Sequence, residues 1–377
     1  MHLRRLVTLV VASTLIAAGC GGSDEAAEPS SDTSSSSVSE PADDGADTEG
    51  DDTDATADEA AEEEPSASAS EPVDDEAAPE DGTEPTTRIV STAFGDFEVP
   101  ANPERVVVMN STLDLATAFD LGVNVIGTLS FSGGRPESSL VSEQEWARID
   151  VLGTSVETSL EAIIAADPDL VLVTPNSEEE FELYAAAVTS VPIVLTNRWQ
   201  DDARQVADAR GQRNEMDVLL DDYQARADEL GERIRAENGD TTIAFLRIRP
   251  GSLRVHTSVH FAGNILDDVG LQMPEMWRRD VLEDPVDNIM QRVEVISPEQ
   301  VGLLNDADHI FVAVQGTAVQ TEEEVAAARD EILGSALWAT LPAVQADRVN
   351  FVEGYWIAGT LRAASAALDD LETYFFG

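Results

Sequence analysis

The chain has 377 residues, and 74 acidic residues against 22 arginines, with no lysine, give it a formal net charge of −52 at pH 7. Residues 87–377 alone hold 50 acidic and 20 basic residues, because 24 of the acids lie in 21–86 and two of the arginines lie near the amino terminus. A surface this acidic repels polyanions, which excludes nucleic acid and an anionic membrane surface as binding partners.

The chain begins with a signal-like segment that ends at its only cysteine, Cys20. Two arginines precede an apolar run at 6–18, which is too short to span a bilayer as a helix. Residues 16–20 read Ile-Ala-Ala-Gly-Cys and resemble the lipobox of bacterial lipoproteins, in which the cysteine is lipidated, although Ala17 stands where leucine is commoner. We therefore expect 1–20 to be a lipoprotein signal peptide and the mature protein to be extracytoplasmic and lipid-anchored. The alternative is an ordinary secretory signal with an incidental cysteine.

Residues 21–86 are composed mainly of Ser, Ala, Asp, Glu, Gly, Thr and Pro, and they include 24 acidic residues and no basic one. Such a segment buries too little apolar surface to offset the entropy of ordering its backbone. We expect a disordered acidic tether that is extended by its own charge repulsion. The alternative is an acidic interaction tail, which usually has its charges in an uninterrupted block.

The remaining body alternates strand-like and helix-like patterns, which predicts an α/β fold with mainly parallel sheets. The expected strands cover residues 105–109, 123–127, 170–173 and 191–195 in the first half, and 242–247, 309–314 and 349–352 in the second half. Because the second half repeats the order of the first, we predict two Rossmann-like lobes, an N-terminal binding lobe at 87–199 and a C-terminal binding lobe at 239–377.

Between the lobes, apolar residues recur every three or four positions from Met216 to Ile234. This period predicts one amphipathic helix of about 36 Å within a helical linker at 200–238. A single rigid crossing between the lobes predicts that their relative movement is restricted.

This order of lipobox, tether, lobe, long helix and second lobe resembles the substrate-binding lipoproteins of ABC importers for ferric siderophores, haem and cobalamin. The segments that carry the resemblance lie at 103–108 (Pro-Glu-Arg-Val-Val-Val), 121–123 (Leu-Gly-Val), 159–172, 261–263 (Phe-Ala-Gly), 297–299 (Ser-Pro-Glu) and 338–344. The resemblance implies a periplasmic-binding-protein fold with a helical backbone, a largely preformed cleft between the lobes, no catalytic activity and no resident cofactor. It also implies a monomer that docks on the permease dimer of an ABC importer.

In this family one glutamate on each lobe docks with arginines of the permease, and the matching positions here are Glu161 and Glu299. Each follows a serine that is expected to cap a helix, where the helix dipole stabilises a carboxylate in the first turn. The alternative is a pair of ordinary first-turn glutamates.

We expect the ligand to lie between the lobes, against loops that leave the carboxyl ends of the parallel strands. Guanidinium groups bind an anionic chelate through forked hydrogen bonds, and aromatic faces cover its organic shell. The candidate ligand-binding residues are Asn110, Ser111, Phe131, Arg135, Trp199, Arg247, Arg249, His260, Trp277, Tyr355 and Trp356. For the arginines the alternative is a surface ion pair, and for Ser111 it is a helix cap. Trp338 is expected to be a core residue.

A site for a bare metal ion would need clustered histidines and carboxylates, and the mature chain has only His256, His260 and His309. His309 begins a buried strand and is expected to be structural. His256 or His260 could ligate haem iron, the alternative being exposed loop histidines, and we predict no direct metal ligand.

An anchored extracellular enzyme is the rival class, but the chain lacks the H-E-x-x-H, G-x-S-x-G and G-x-x-x-x-G-K-[ST] motifs. The sequence therefore predicts a binding protein that captures a ferric siderophore and delivers it to an ABC permease. The alternative ligands are cobalamin and haem.

Overall fold

The computed structural model contains two five-stranded sheets of similar topology, one in each half of the body. It describes residues 86–130, 134–136, 140–154, 158–279, 292–315 and 321–377. The predicted signal peptide with Cys20, the predicted tether up to residue 85 and the site candidate Phe131 lie outside the described residues.

The strands are β1 (Thr87–Thr92), β2 (Gly95–Pro100), β3 (Val106–Val108), β4 (Val125–Ser130), β5 (Asp150–Thr154), β6 (Leu170–Val173), β7 (Ser190–Pro192), β8 (Ile243–Arg249), β9 (Ser252–His256), β10 (Val293–Ile296), β11 (His309–Val314) and β12 (Val349–Val352). The α-helices are α1 (Leu115–Asp120), α2 (Glu143–Trp146), α3 (Leu160–Ala165), α4 (Glu178–Ala185), α5 (Trp199–Arg210), α6 (Arg213–Asn238), α7 (Phe261–Asp268), α8 (Glu322–Leu333), α9 (Pro342–Gln345) and α10 (Leu361–Phe376). Described 3-10 helices cover Glu275–Trp277, Pro298–Leu304, Trp338–Thr340 and Gly354–Ile357.

The two sheets have equivalent strand orders, β5-β4-β3-β6-β7 in the first lobe and β10-β9-β8-β11-β12 in the second. All neighbouring strands of the first sheet are parallel. In the second sheet β9 is antiparallel to both β8 and β10, because a two-residue turn at Pro250 and Gly251 joins β8 to β9 directly. Gly251 has a φ of 76°, which suits the second central position of a type II turn after proline. These sheets confirm the predicted α/β architecture.

Each sheet begins with the same local hydrogen-bonding device. The carboxylate of Asp169 accepts the backbone N–H groups of Glu104 and Arg105 at 2.7 and 3.0 Å. In the second lobe the carboxylate of Asp308 accepts the N–H of Thr242 at 2.8 Å. Asp169 immediately precedes β6 and holds the residues that lead into β3, and Asp308 immediately precedes β11 and holds the residue that leads into β8. This equivalence is expected if the two halves are structural repeats.

Several elements differ from the sequence-based expectations. The hairpins β1–β2 and β8–β9, the strand β5 and the short helix α2 were not predicted. The predicted helical linker at 200–238 contains two helices, α5 and α6, separated at Gly211, whose φ of 76° ends α5. The long helix itself is present as α6, with 26 residues.

The buried face of α6 is the one that the sequence period predicts, and it includes Met216, Leu220, Tyr223, Ala227, Leu230 and Ile234. These side chains join the main hydrophobic core, which contains residues from both sheets. The described residues from 86 to 377 belong to one compact unit, so α6 supports both lobes and does not act as a free linker. Among the described residues, the model contains no helix with the length and apolarity needed to cross a bilayer.

Two residues expected to be structural are confirmed as such. Trp338 is 5% exposed and belongs to the main core. His309 is buried at the start of β11, and its Nδ1 lies 2.8 Å from the hydroxyl oxygen of Tyr374.

Helix α6 crosses the end of α7 at Gly231, and this contact leaves no room for a side chain. A Cβ atom at this position would lie 1.8 Å from the carbonyl oxygen of Val269. Gly→Ala inside a helix usually stabilises it by about 1 kcal/mol, but here we expect Gly231→Ala to lower the free energy of unfolding by about 1–3 kcal/mol through overpacking. Denaturant unfolding of the variant measures this change. Glu232→Ala, at the exposed neighbouring position, is the control, and a Gly231→Ala protein at least as stable as wild type would refute the close contact.

Candidate ligand-binding site

Three arginines lie on one face of the β8–β9 hairpin. Arg247 and Arg249 are two residues apart on β8 and therefore point to the same face, and Arg254 of β9 is the direct cross-strand partner of Arg247. The alternate residues Ile248 and Val255 point the other way and are fully buried. Toward its turn, the hairpin thus has one apolar face in the core and an opposite, cationic face that carries the three arginines.

This cationic face lacks compensating negative charge within the described residues. Burial, assisted by repulsion from Arg249 and Arg254, lowers the pKa of Arg247 to about 10. The Nε of Arg247 is buried and has no hydrogen-bond partner among the described residues. Like charges directly opposite each other destabilise a sheet, so the hairpin maintains an unfavourable arrangement that an anion would relieve.

Two histidines continue the same wall into α7. His256 at the end of β9 is fully buried, and its Nδ1 lies 2.9 Å from the Nδ1 of His260. Burial, assisted by Arg292 and Arg247, lowers the pKa of His260 to about 3, and burial also lowers that of His256. Both imidazoles are therefore neutral at physiological pH, and one Nδ1–H donates to the other Nδ1.

The opposite wall is formed by the loop after β7 and the first turn of α5. The N–H of Thr196 donates to Oδ1 of Asp202 at 2.7 Å, and Arg292 donates to the carbonyl oxygen of Thr196. The ring of Trp199 packs edge-on against Tyr223 and Phe261, with centroid distances of 5.1 and 6.1 Å. An arginine that precedes β10 in the second lobe therefore bonds directly to the backbone of the first.

The two walls enclose a partly open cavity of about 310 Å³, which is within the usual size range of small-molecule sites. Its first wall contains Leu113, Leu195, Thr196, Asn197, Trp199 and Asp202, and its second wall contains Arg247, Arg254, His260, Phe261, Asn264, Arg292 and Val293. Ile357 and Gly359, between β12 and α10, complete the lining. The cavity combines three guanidinium groups with apolar and aromatic surface, which is the chemistry expected of a site for an organic anion.

A buried carboxylate beside the cavity joins the two lobes. Asp268, at the end of α7, accepts hydrogen bonds from Nε1 of Trp199 (3.3 Å), Nε2 of Gln200 (2.9 Å) and the hydroxyl of Tyr223 (3.1 Å). Arg198 forms an ion pair with the same carboxylate. One acceptor therefore fixes the start of α5, the middle of α6 and the end of α7 relative to one another.

The structure places three of the predicted ligand-binding residues, Trp199, Arg247 and His260, in the cavity lining. Arg249 lies outside the lining but on the same hairpin face, close enough to lower the pKa of Arg247. Arg135 also lies outside it and forms an ion pair with Glu143 at 3.6 Å, which is the alternative that the sequence left open for arginines.

Asn110 and Ser111 do not line the cavity. Oδ1 of Asn110 accepts the N–H groups of Thr112 and Leu113 at 3.1 and 3.0 Å, so Asn110 closes the turn that leads into α1. Ser111 is buried beside it.

Two aromatic predictions, Trp277 and Trp356, need correction because the side chains belong to the protein interior, whereas Tyr355 is half-buried and lies outside the cavity lining. Trp356 is fully buried, stacks 5.8 Å from Phe245 and donates from Nε1 to Asp370 at 2.7 Å. The hydroxyl of Tyr355 donates to the same aspartate at 2.8 Å. Trp277 is 3% exposed and packs in the core of the second lobe. The tryptophans are held by packing in the core. The residue type alone does not distinguish an aromatic side chain in the core from one that contacts a ligand.

Sequence reasoning missed Arg254, Arg292 and Asp202. The Pro-Gly pair at 250–251, flanked by alternating apolar and arginine residues, is a hairpin signal that would have placed Arg254 opposite Arg247. The sequence carries no comparable local signal for Arg292 or Asp202, because their place in the cavity depends on contacts between distant segments.

The two glutamates predicted to dock lie at exposed helix starts, one in each lobe. Glu161 is in the first turn of α3, where the side chain of Ser159 accepts the N–H of Ala162. Glu299 is in the first turn of the 3-10 helix Pro298–Leu304 behind Ser297, so this element is a 3-10 helix and not the α-helix expected. Hydrogen bonds from its backbone and from Ser297 lower the pKa of Glu299.

Comparison with known proteins identifies relatives over most of the chain. The probable siderophore-binding lipoprotein YfiY of Bacillus subtilis is 26% identical over 294 residues, which cover 77% of this chain and 88% of the relative. Staphylococcus aureus SirA, solved with staphyloferrin B, is similar in structure with a TM-score of 0.65 and 22% identity, covering 76% of this chain and 98% of SirA. Bacillus subtilis FeuA, solved with ferri-bacillibactin, matches with a TM-score of 0.61 and 21% identity, over 76% and 98% of the two chains.

The family model described as periplasmic binding protein matches residues 106–354, a span that includes both sheets and both walls of the cavity. This match confirms the prediction of a binding protein as opposed to an enzyme. The chain belongs to the periplasmic binding protein family of ABC-transporter substrate-binding proteins.

Proposed function

We propose that the protein captures an anionic ferric siderophore in the cavity between its lobes and delivers it to the permease of an ABC importer. The observation that carries this proposal is the cationic face of the β8–β9 hairpin, where Arg247, Arg249 and Arg254 have no carboxylate partner among the described residues. In a body with a large excess of acidic residues, such a cluster is costly unless a ligand neutralises it. The names of YfiY, SirA and FeuA support a siderophore as that ligand.

The charge pattern favours chelates with a net negative charge over neutral ones. Catecholate and carboxylate siderophores place anionic oxygens around iron(III), and guanidinium groups bind such oxygens in a forked geometry. The iron arrives inside the chelate as cargo, so the protein needs no metal ligands of its own. Within the described residues no cluster of three or more metal-ligating side chains occurs.

The proposal includes a lipid anchor at Cys20 and an acidic tether that holds the binding lobes away from the membrane. The residues that support it are the apolar run at 6–18, the lipobox-like sequence before Cys20 and the composition of 21–86. We also propose that the protein acts as a monomer, since one cavity with both walls is complete within a single chain.

Substitution of Arg247 separates ligand binding from stability. Arg247→Gln removes one charged donor from the cavity, and we expect it to weaken binding of ferri-bacillibactin, ferric staphyloferrin B or ferric dicitrate by about 10- to 100-fold, in line with ~1.5–3 kcal/mol for a charged hydrogen bond. The same change removes a like-charge cross-strand pair, so the thermal unfolding midpoint of the ligand-free protein should rise. Tryptophan fluorescence titration and thermal unfolding measure the two effects.

The matched control is Arg329→Gln, which removes an arginine from α8 that pairs with Asp330 at the surface; its affinity should equal that of wild type. The titration panel also contains haem, cobalamin and a neutral ferric trihydroxamate. Selective binding of one of these three, or wild-type affinity in Arg247→Gln, contradicts the proposed ligand class.

Reversing the charge of both docking glutamates is expected to abolish uptake without changing affinity. Glu161→Arg and Glu299→Arg together place positive charge opposite the permease arginines, so radioactive ⁵⁵Fe-siderophore uptake by cells should fall to background while binding by the purified protein stays at the wild-type level. Glu179→Arg is the control, because Glu179 also occupies the second position of a helix, α4, behind a serine cap. Normal uptake by the double variant would rule out these two residues as the docking sites.

A further inference from the structure

The cavity contains one acidic side chain among its described lining residues, Asp202 of α5. It faces a wall that contributes Arg247, Arg254 and Arg292. Oδ1 of Asp202 accepts the N–H of Thr196, and Arg292 directs Nη2 to the carbonyl oxygen of Thr196 and not to the carboxylate. Asp202 therefore lies in a cationic cavity with its charge only partly compensated by a backbone hydrogen bond and by Arg292.

A second carboxyl group lies behind it. Asp114, which precedes α1, is 1% exposed and accepts a hydrogen bond from the hydroxyl of Thr174. Burial raises the pKa of Asp114 to about 7. Burial is also the main cause that raises the pKa of Asp202 to about 7, and repulsion from Asp114 adds to it, while hydrogen bonds from Thr196 and the charge of Arg292 oppose it. Each of the two acids is thus partly protonated in the empty protein at neutral pH.

The other groups around Asp202 do not titrate near neutrality. Arg247 and Arg292 stay charged on the second wall, because a guanidinium group is not deprotonated in proteins, and His260 is held neutral by burial and by Arg292, with a pKa of about 3. A proton exchanged near pH 7 at this site therefore belongs to the carboxyl groups of Asp202 and Asp114.

An anionic chelate in the cavity changes this balance. Its oxygens repel an ionised carboxylate across a poorly solvated gap, whereas a protonated carboxyl group donates a hydrogen bond to one of them. We propose that binding of an anionic ferric chelate is coupled to proton uptake at Asp202, which makes Asp202 a specificity-determining residue that donates to an acceptor oxygen of the ligand. This inference rests on the proposed function and deepens it.

Thermodynamic linkage gives the direction in which ligand affinity changes with pH. If the bound state holds one more proton than the free state, affinity is highest below pH 7 and falls up to about tenfold per pH unit above it. Asp202→Asn is neutral at every pH, retains an acceptor for the N–H of Thr196 and offers an amide donor to the ligand. The variant should bind with little pH dependence from pH 7 to 8.5, and at pH 8.5 it should bind about tenfold more tightly than wild type. A purely structural role for Asp202 would lower affinity at all pH values.

The test is isothermal titration calorimetry of the full chain with ferri-bacillibactin, ferric staphyloferrin B and ferric dicitrate. Titrations at pH 7.5 in phosphate and in Tris, whose ionisation enthalpies differ, count the protons taken up. Wild type should take up close to one proton more than Asp202→Asn with the same chelate, and this difference cancels any protonation of the chelate itself. Asp201→Asn, which removes the exposed neighbouring acid on α5, should behave as wild type.

Asp114→Asn provides a second readout that does not depend on replacing Asp202. Removing the charge of Asp114 lowers the pKa of Asp202, so the pH above which affinity declines should move to lower pH. Equal proton uptake by wild type and Asp202→Asn overturns the coupling while the proposed function stands. If none of the three chelates binds, both the proposed function and the coupling are overturned.

Discussion

The carboxylate of Asp268 determines how the two lobes meet. It is fully buried and accepts hydrogen bonds from α5, α6 and the loop before α5, while its own backbone ends α7 of the second lobe. Removing one partner of such a cluster leaves a charge or hydrogen-bond donors buried without compensation. This lowers the free energy of unfolding, because a poorly solvated interior does not replace the lost partner. The close approach of α6 to Val269 at Gly231 lies immediately beside it. Together these contacts hold the cavity walls at a fixed spacing, as expected of a largely preformed binding site.

The cationic character of the cavity arises from one difference between two otherwise equivalent sheets. In the first lobe a crossover connects β3 to its neighbour β4, and the strands are parallel. In the second lobe the Pro-Gly turn returns the chain at once, so β9 runs antiparallel to β8. The carboxyl end of β8 and the amino end of β9 then lie side by side at the turn. β8 contributes Arg247 and Arg249 there, and β9 contributes Arg254. The two sheets thus differ at one connection, and the antiparallel hairpin of the second sheet brings Arg247, Arg249 and Arg254 together on one face.

The sequence predicted the strands that have continuous apolar runs better than the strands that lack them. β3, β6, β8 and β11 were identified because strands buried on both faces of a parallel sheet give continuous apolar runs. β5 was missed because, as an edge strand with Val151 48% exposed, it carries no such run. In the site, Arg247 was identified from its position at a strand end, while Arg292 depends on contacts between distant segments and Asp202 is one of 74 acidic residues. Trp356 was assigned to the ligand although it packs against Phe245, because aromatic residues suit both environments.

The unequal charge of the two walls also gives the cavity a direction. Arg247, Arg254 and Arg292 all come from the second lobe, whereas Asp202 and Asp114 come from the first lobe and the start of α5. The resulting electric field points from the second wall toward the first, and low-dielectric surroundings strengthen it. An anion that enters the cavity is therefore drawn first toward Arg247, Arg254 and Arg292 of the second wall.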